Sequence, residues 1–353
     1  MKIVFLGLSI TSSWGNGHAT SYRALVRELS RRGHDVLFCE RDVPWYAAER
    51  DLPEPPWGRT SLYGSLDELA ERHVADVGEA DLVIVGSYVP EGIALAEWVL
   101  NHAPGATAFY DIDTPVTIEK LRRGGTEYLT AELVGRYDLY LSFTGGPTLT
   151  VLESEFDARH AIAFYCFADP QAYRPVAAQP RWDLGYLGTY SDDCQPALER
   201  LLIEPAQREP EAAFVVGGPQ YPEEAAWPAN VEWVEHIALG DRPAFFAAQR
   251  FTLNVTRAEM RAAGWSPSVR LFEAAACGVP VISDRWDGLD EIFVPDEEIL
   301  VADSAEDILD FLRVGESERR QIAERARRRV LAEHTAAHRC QQLEDEVAGV
   351  MAR

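Results

Sequence analysis

Two patterns of apolar positions alternate along this chain. Short continuous runs rich in Val, Ile and Leu predict strands buried on both faces. The stretches between them repeat apolar residues at helical spacing. "KIVFLGLS" is the first strand, and "ATSYRALVRELSRRG" is an amphipathic helix with Tyr22, Leu25, Val26 and Leu29 on one face. "HDVLFCE", "ADLVIVGS", "EGIALAEWVLNHA", "ATAFYDID" and "YDLYLSF" continue the alternation. After the proline-rich residues 168–183 a second series runs through "LGYLGTY", "QPALERLLIEPA", "AAFVVGG", "VEWVEHI", "RPAFFAAQ", "FTLNVTR" and "VPVISD". "EILVADSAEDILDFL" adds a strand and a helix, and long helices with paired charges on solvated faces end the sequence. The fold class is α/β, with two parallel sheets covered by helices and no solenoid or propeller repeat.

Composition sharpens the division. At 353 residues and 47% hydrophobic, the chain exceeds what one core serves, so two domains are expected, over residues 1–175 and 176–335. Ligands of such sheets bind outside the strand C-terminal ends, which makes a cleft between the domains the expected site. The net charge of −24 argues against a nucleic-acid partner, which wants a basic face, but leaves room for a nucleotide. Five scattered cysteines without CxxC spacing predict buried free thiols rather than a disulfide framework or zinc site. The N-terminus reads as a strand rather than a signal peptide, and no apolar run approaches the roughly 20 residues of a membrane helix. A cytoplasmic location is expected.

Several residues carry candidate chemistry. In "SSWGNGHATSYR", Gly15 and Gly17 allow a tight turn and close approach of a ligand, but Thr20 stands where a dinucleotide fingerprint needs its third glycine. Glu40, at the end of the second strand, would be the ribose acid of that reading. His18 offers an imidazole able to take a proton near neutral pH, or simply a helix-start residue bonded to backbone. Asp111 and Asp113 in "YDIDTP" stand ready to orient His18 or an acceptor. As a metal pair they rank below ordinary turn chemistry, and no metal is expected. In the second half, the glycine turns of "LGYLGTYS" and "VVGGPQYP", the latter with Gly217 and Gly218, expose backbone donors to diphosphate or sugar oxygens. Arg257 and Arg270 are candidates to neutralise phosphate.

"SPSVRLFEAAACGVPVISD", residues 266–284, places one carboxylate in an otherwise apolar short helix. Ser266 suits the N-cap, Pro267 the first helical position, and Gly278 the position past the end. Anions are favoured at the N–H groups of Ser268 and Val269 in the first turn. Glu273 follows about one and a half turns on, roughly 7 Å at 1.5 Å per residue, which matches the reach from a diphosphate to its ribose. Its two oxygens suit the two hydroxyls of the ribose. The plain alternative is a solvated Glu on the outer face of a packed helix.

With these residues in view, the sequence resembles GT-B glycosyltransferases of the family 1/4 clan, and within it the CgeB-like, spore-maturation-protein-like group. Residues 183–300 carry most of the resemblance and "SPSVRLFEAAACG" its most specific block; "SSWGNGHATSYRALVRELSRRGHDVLFCERDVPWY" and "DIDTP" add to it. The resemblance implies two Rossmann-like domains, with the acceptor on the first and a nucleotide-sugar donor on the second. It also implies a last helix, 336–353, returning to the first domain. It makes Glu273 the ribose-binding glutamate, puts Ser266, Ser268, Val269 and Arg270 in the diphosphate-binding turn, and puts Gly188, Thr189 and Tyr190 in the facing loop. Retaining members commonly carry a second glutamate eight residues earlier, where this chain has Trp265. "GNGH" is similar to the loop of inverting enzymes that supplies a histidine base, which implies inversion with His18.

The activity implied is metal-independent transfer of a sugar from a nucleotide-diphosphate donor to a hydroxyl or amine acceptor. A UDP-sugar comes first and dTDP- and GDP-sugars are alternatives; no tightly bound cofactor is expected. Two other functions compete: a catalytically silent nucleotide-sugar or glycan binder, and a nicotinamide-dependent oxidoreductase built on "GNGH" and Glu40.

Overall fold

The computed structural model describes residues 1–14, 18–223 and 225–352. It divides the chain into two compact units, Met1–Tyr165 with Ala336–Arg353, and Cys166–Thr335.

The first unit is built on seven strands: β1 (Lys2–Gly7), β2 (Asp35–Arg41), β3 (Arg59–Tyr63), β4 (Leu82–Gly86), β5 (Ala106–Asp111), β6 (Leu139–Ser142) and β7 (Ala161–Ala163). They pair in parallel in the order β3-β2-β1-β4-β5-β6-β7. The strands feed helices that cover both faces. On Ala19–Arg31 the predicted stripe of Tyr22, Leu25, Val26 and Leu29 is buried. Tyr22 meets Phe38 and Tyr110 edge-on at 5.1 and 5.6 Å, geometries that aromatic pairs favour. The helix Ala336–Met351 completes this unit. Arg32 bonds Glu344 at 2.6 Å and the Ala337 carbonyl at 2.9 Å, and Cys340, Leu343 and Val347 are buried.

The second unit has six strands: β8 (Trp182–Leu187), β9 (Phe214–Gly217), β10 (Val231–Val234), β11 (Gln249–Asn254), β12 (Val281–Ser283) and β13 (Leu300–Val301). Their order is β10-β9-β8-β11-β12-β13, again parallel. The sequence predicts a domain boundary at 175/176, inside a proline-rich linker. The second unit instead starts at Cys166, because that stretch is tied down: Ala168 donates to the His334 carbonyl at 3.0 Å and Tyr173 is 2% exposed.

In each sheet the first strand has neighbours reached by chains running in opposite directions. Ligands of open α/β sheets settle outside the carboxyl ends of strands at such a reversal. In the first unit the reversal lies between β1 and β4, in the second between β8 and β11.

Candidate functional site: the loops and helix at the end of the second sheet

The loops that leave β8, β9 and β11 and the helix Val269–Ala276 hold most of the candidate residues. The N-cap of that helix is Ser268, in extended conformation, not Ser266. Pro267 forces the residue before it out of the helical region, and Ser266 is buried with its hydroxyl 3.1 Å from Met260 Sδ. Pro267 therefore precedes the helix rather than opening it. The Ser268 side chain caps nothing, so the N–H groups of Val269 and Arg270 are left without intrahelical acceptors. At the other end Gly278 has φ +74, as expected past the helix.

Arg270 spans the sheet's reversal point. Its guanidinium donates to the Leu187 carbonyl at the end of β8 and, at 2.9 Å, to Asn254 Oδ1 at the end of β11. It also stacks over Tyr186, 4.8 Å from the ring centroid. Asn254 is held in turn by Ser283 and Thr256 at 3.0 and 3.2 Å. The arginine thus pins a cation where backbone donors already converge.

Gly188 follows β8 and pairs with the loop after β9, its N–H bonding the Gly217 carbonyl at 2.8 Å. Tyr190 donates its N–H to the Pro219 carbonyl at 3.0 Å, and Thr189 between them is exposed. Gly218 has φ +142, and a Cβ there would fall 2.1 Å from the Gly188 carbonyl oxygen, so only glycine lets the loops approach. Arg257 caps the helix Ala258–Ala263 and lies 3.7 Å from Asp193, whose carboxylate also accepts the Ala258 N–H at 3.0 Å.

Glu273 is 1% exposed, which removes the solvated-face alternative. Its Oε2 stands 3.7 Å from Arg242 Nη1, while Oε1 has no hydrogen-bond partner of ordinary geometry. Burial pushes the carboxyl above its usual range, opposed first by the Arg242 charge and then by the Tyr173 hydroxyl beside it. Cα–Cβ bonds lean toward a helix N-terminus, so the Glu273 side chain leaves its helix leaning toward the bare first turn. Ala274, Ala275 and Ala276 are fully buried and keep the helix close to its sheet.

Trp265 has φ +44, and its N–H donates to the Asp287 carbonyl at 2.6 Å. Its indole lies against Gly288, where an added Cβ would be 2.4 Å from the ring.

In the first unit, His18 caps Ala19–Arg31 and lies 5.9 Å from the Phe143 ring. Burial pushes its imidazole below the usual range, with the Asp113 carboxylate opposing. Asp113 is half-buried and accepts from the Tyr88 hydroxyl at 2.9 Å. Asp111 points inward instead: it is fully buried and accepts from Tyr140 at 2.6 Å and Thr117 at 3.0 Å. The structure brings His18 and Asp113 under mutual electrostatic influence and commits Asp111 to the interior. Gly15 and Gly17 lie outside the described residues. Glu40 is fully buried and taken up by Ile10 N, Thr11 N and Thr11 Oγ1 at 2.7, 3.0 and 2.6 Å. The oxidoreductase reading thereby loses its ribose acid.

Sequence reasoning missed Arg242, Tyr173 and Asn254. Arg242 sits just before Pro243 at a helix start, and Tyr173 inside the proline-rich stretch. Periodicity does not report the burial of single polar groups outside regular elements. Among the described residues no group of three or more His, Cys, Asp or Glu is placed to hold a metal. No helix among them is long and apolar enough to cross a membrane. All five cysteines are buried and free.

Residues 195–345 match the glycosyl transferase-like family. No curated protein sequence matches the chain. Solved structures of similar fold include sucrose-phosphate synthase from Thermosynechococcus elongatus, at 15% identity, 99% coverage of both chains and TM-score 0.71. Another is Anabaena HepE in complex with UDP, at 16% identity, coverage of 99% of this chain and 100% of that one, and TM-score 0.72. A third is an alpha-glucosyltransferase in complex with UDP-glucose and DNA containing an abasic site, at 13% identity, 98% coverage of both and TM-score 0.71. The fold is GT-B. With a glycosyl transferase-like domain over residues 195–345, the chain is an enzyme of the glycosyltransferase class.

Proposed function

We propose that this enzyme moves a sugar from a UDP-sugar to a hydroxyl or amine acceptor, with inversion and without a metal. The observation that carries the reading is Glu273, a fully buried carboxylate with one oxygen unpartnered, beneath a helix start with bare N–H groups. A diphosphate at Ser268, Val269 and Arg270 would put its ribose beside that oxygen. Ser266 shapes the turn, and Gly188, Thr189, Tyr190, Gly217 and Gly218 supply the neighbouring loop backbone. UDP is favoured over dTDP and GDP because HepE and the alpha-glucosyltransferase were solved with uridine nucleotides.

In the transfer, the acceptor oxygen bonds to the anomeric carbon as the bond from that carbon to the β-phosphate oxygen breaks. The departing negative charge is met by the first-turn N–H groups and by Arg270 and Arg257, which makes a metal unnecessary. The acceptor's proton passes to His18. A lowered imidazole pKa keeps that ring neutral at pH 7, the form a base needs. Asp113 steadies the imidazolium that results, and Asp111 supports the loop from beneath. The CgeB-like motifs of residues 183–300 support placement in that group. The net charge of −24 favours an acceptor other than nucleic acid, and five free buried thiols favour a cytoplasmic setting.

The test is calorimetric titration with UDP, dTDP, GDP and ADP. Glu273→Ala should weaken UDP binding at least tenfold, and unchanged affinity would refute the donor site. His18→Ala should lower donor turnover about a hundredfold or more with UDP affinity retained. A wild-type chain that binds UDP-sugars but neither transfers nor hydrolyses them would be a silent binder.

A further inference from the structure

Glu273 and Arg242 make an ion pair that is incomplete on both sides. Of the carboxylate, Oε2 faces Arg242 Nη1 at 3.7 Å and Oε1 has no partner. Of the guanidinium, Nε is also buried and unpartnered. Buried polar atoms are almost always satisfied, so two such vacancies at one pair call for an explanation. A vicinal diol supplies it, since each hydroxyl both donates and accepts. The third member is Tyr173, 2% exposed, whose hydroxyl lies beside both charged groups.

We propose that Arg242 and Tyr173 are positioning residues that hold the Glu273 carboxylate in place for the ribose diol, making ribose recognition depend on their company. The proposal rests on the donor reading above. The neighbouring charges are few. Arg270 lies on Glu273's own helix but is committed to Leu187 and Asn254. Cys277, just past the end of that helix, is pushed up to about 12 by burial and stays a neutral thiol. From the helix Glu316–Glu333, Arg327 bonds the Ala276 carbonyl at 3.1 Å. At the end of β12, Asp284 is taken by Thr256 at 2.8 Å. Arg242 is thus the principal counter-charge of Glu273. Without it a buried carboxylate neutralises rather than remain alone. A protonated Glu273 turns one of its acceptor oxygens into a donor and holds the diol less well.

The experiment compares UDP with 2′-deoxy-UDP by calorimetry between pH 6 and 8.5, on wild type, Arg242→Gln, Arg242→Lys and Tyr173→Phe. Wild type should prefer UDP about tenfold or more, evenly across that range. In Arg242→Gln the preference should shrink toward unity at pH 6 and recover by pH 8.5, and Arg242→Lys should restore a flat profile. Tyr173→Phe keeps the packing and removes one hydroxyl; it should cut the preference about threefold or more. An Arg242→Gln profile as flat and as large as wild type, together with an unaffected Tyr173→Phe, overturns the positioning role alone. A wild type with no preference for UDP over 2′-deoxy-UDP overturns the ribose reading itself, and this proposal with it.

Discussion

Asp111 and Asp113 stand two residues apart at the end of β5 and meet opposite surroundings. Asp113 faces Tyr88 and the field of His18. Asp111 is sealed beneath the following helix, and burial pushes its carboxyl up to about 6 despite the hydrogen bonds it accepts. The folded chain therefore holds this proton up to about pH 6, and the unfolded chain only to about pH 4. Stability from this group falls as pH rises through that window, by about 3 kcal/mol at about 1.4 kcal/mol per unit. Asp111→Asn should remove that slope. Relative to wild type, the variant should gain up to about 3 kcal/mol in urea unfolding between pH 4 and pH 7. Parallel pH profiles would show that Asp111 does not carry the proton. The residue types were legible in "YDIDTP" and their division of labour was not, because it depends on Tyr140, Thr117 and Tyr88 arriving from distant segments. Glu273 was legible for the opposite reason: a lone acid among alanines already conflicts with its neighbours in sequence. Its partner Arg242 lies 31 positions earlier (273 minus 242), and no local pattern links the two.

Among elements, the strands read most readily from sequence are the interior ones, whose two covered faces demand unbroken apolar runs. β3, "RTSLY", is a half-exposed edge and β7, "AIA", is three residues long, so neither announced itself. The sequence predicts one helix over "QPALERLLIEPA". The run is continuous, but Glu199–Ile203 widens into a π turn whose closing bond joins Glu204 N to the Glu199 carbonyl. Pro205 explains it: with no N–H to donate, it interrupts the regular ladder, and the backbone skips a residue to resume. The loop pair at Gly188 and Gly218 yields a prediction of its own. Gly218→Ala forces a Cβ onto a backbone oxygen and should cost about 2–3 kcal/mol, by analogy with other strained backbone positions. It should also weaken UDP binding about tenfold. Gly240→Ala is the control, since nothing lies within 4 Å of its added Cβ. Equal melting temperatures and equal UDP affinities for the two variants would contradict the loop pairing. The helix Ala305–Leu312 opens on a reciprocal cap between Ser304 and Asp307, so Ser304→Ala should lower the second unit's stability by about 1 kcal/mol in urea unfolding.

For the molecule as a whole, the order of segments in sequence and in space differ. The second unit is one continuous span, Cys166–Thr335, whereas the first is assembled from both ends of the chain. Removing residues 336–353 would take away the buried side chains of Cys340, Leu343 and Val347 and uncover the face of Ala19–Arg31 they cover, Leu25 included. At about 1.5–3 kcal/mol per large buried side chain, the first unit should melt many degrees lower or fail to fold. The second unit's transition should persist in differential scanning calorimetry. A single cooperative transition lost altogether would show that the units do not melt independently.

Vectorial synthesis gives that arrangement a temporal consequence. Emerging from the ribosome, residues 1–165 must wait, their helix Ala19–Arg31 lacking its neighbour, until residue 351 has been added. The span 166–335 has everything it needs sooner. The half translated second is therefore the half that can mature first. For that interval the nascent N-terminal sheet keeps an apolar seam open to chaperones, so a stall late in translation would leave a finished second unit attached to an unfinished companion.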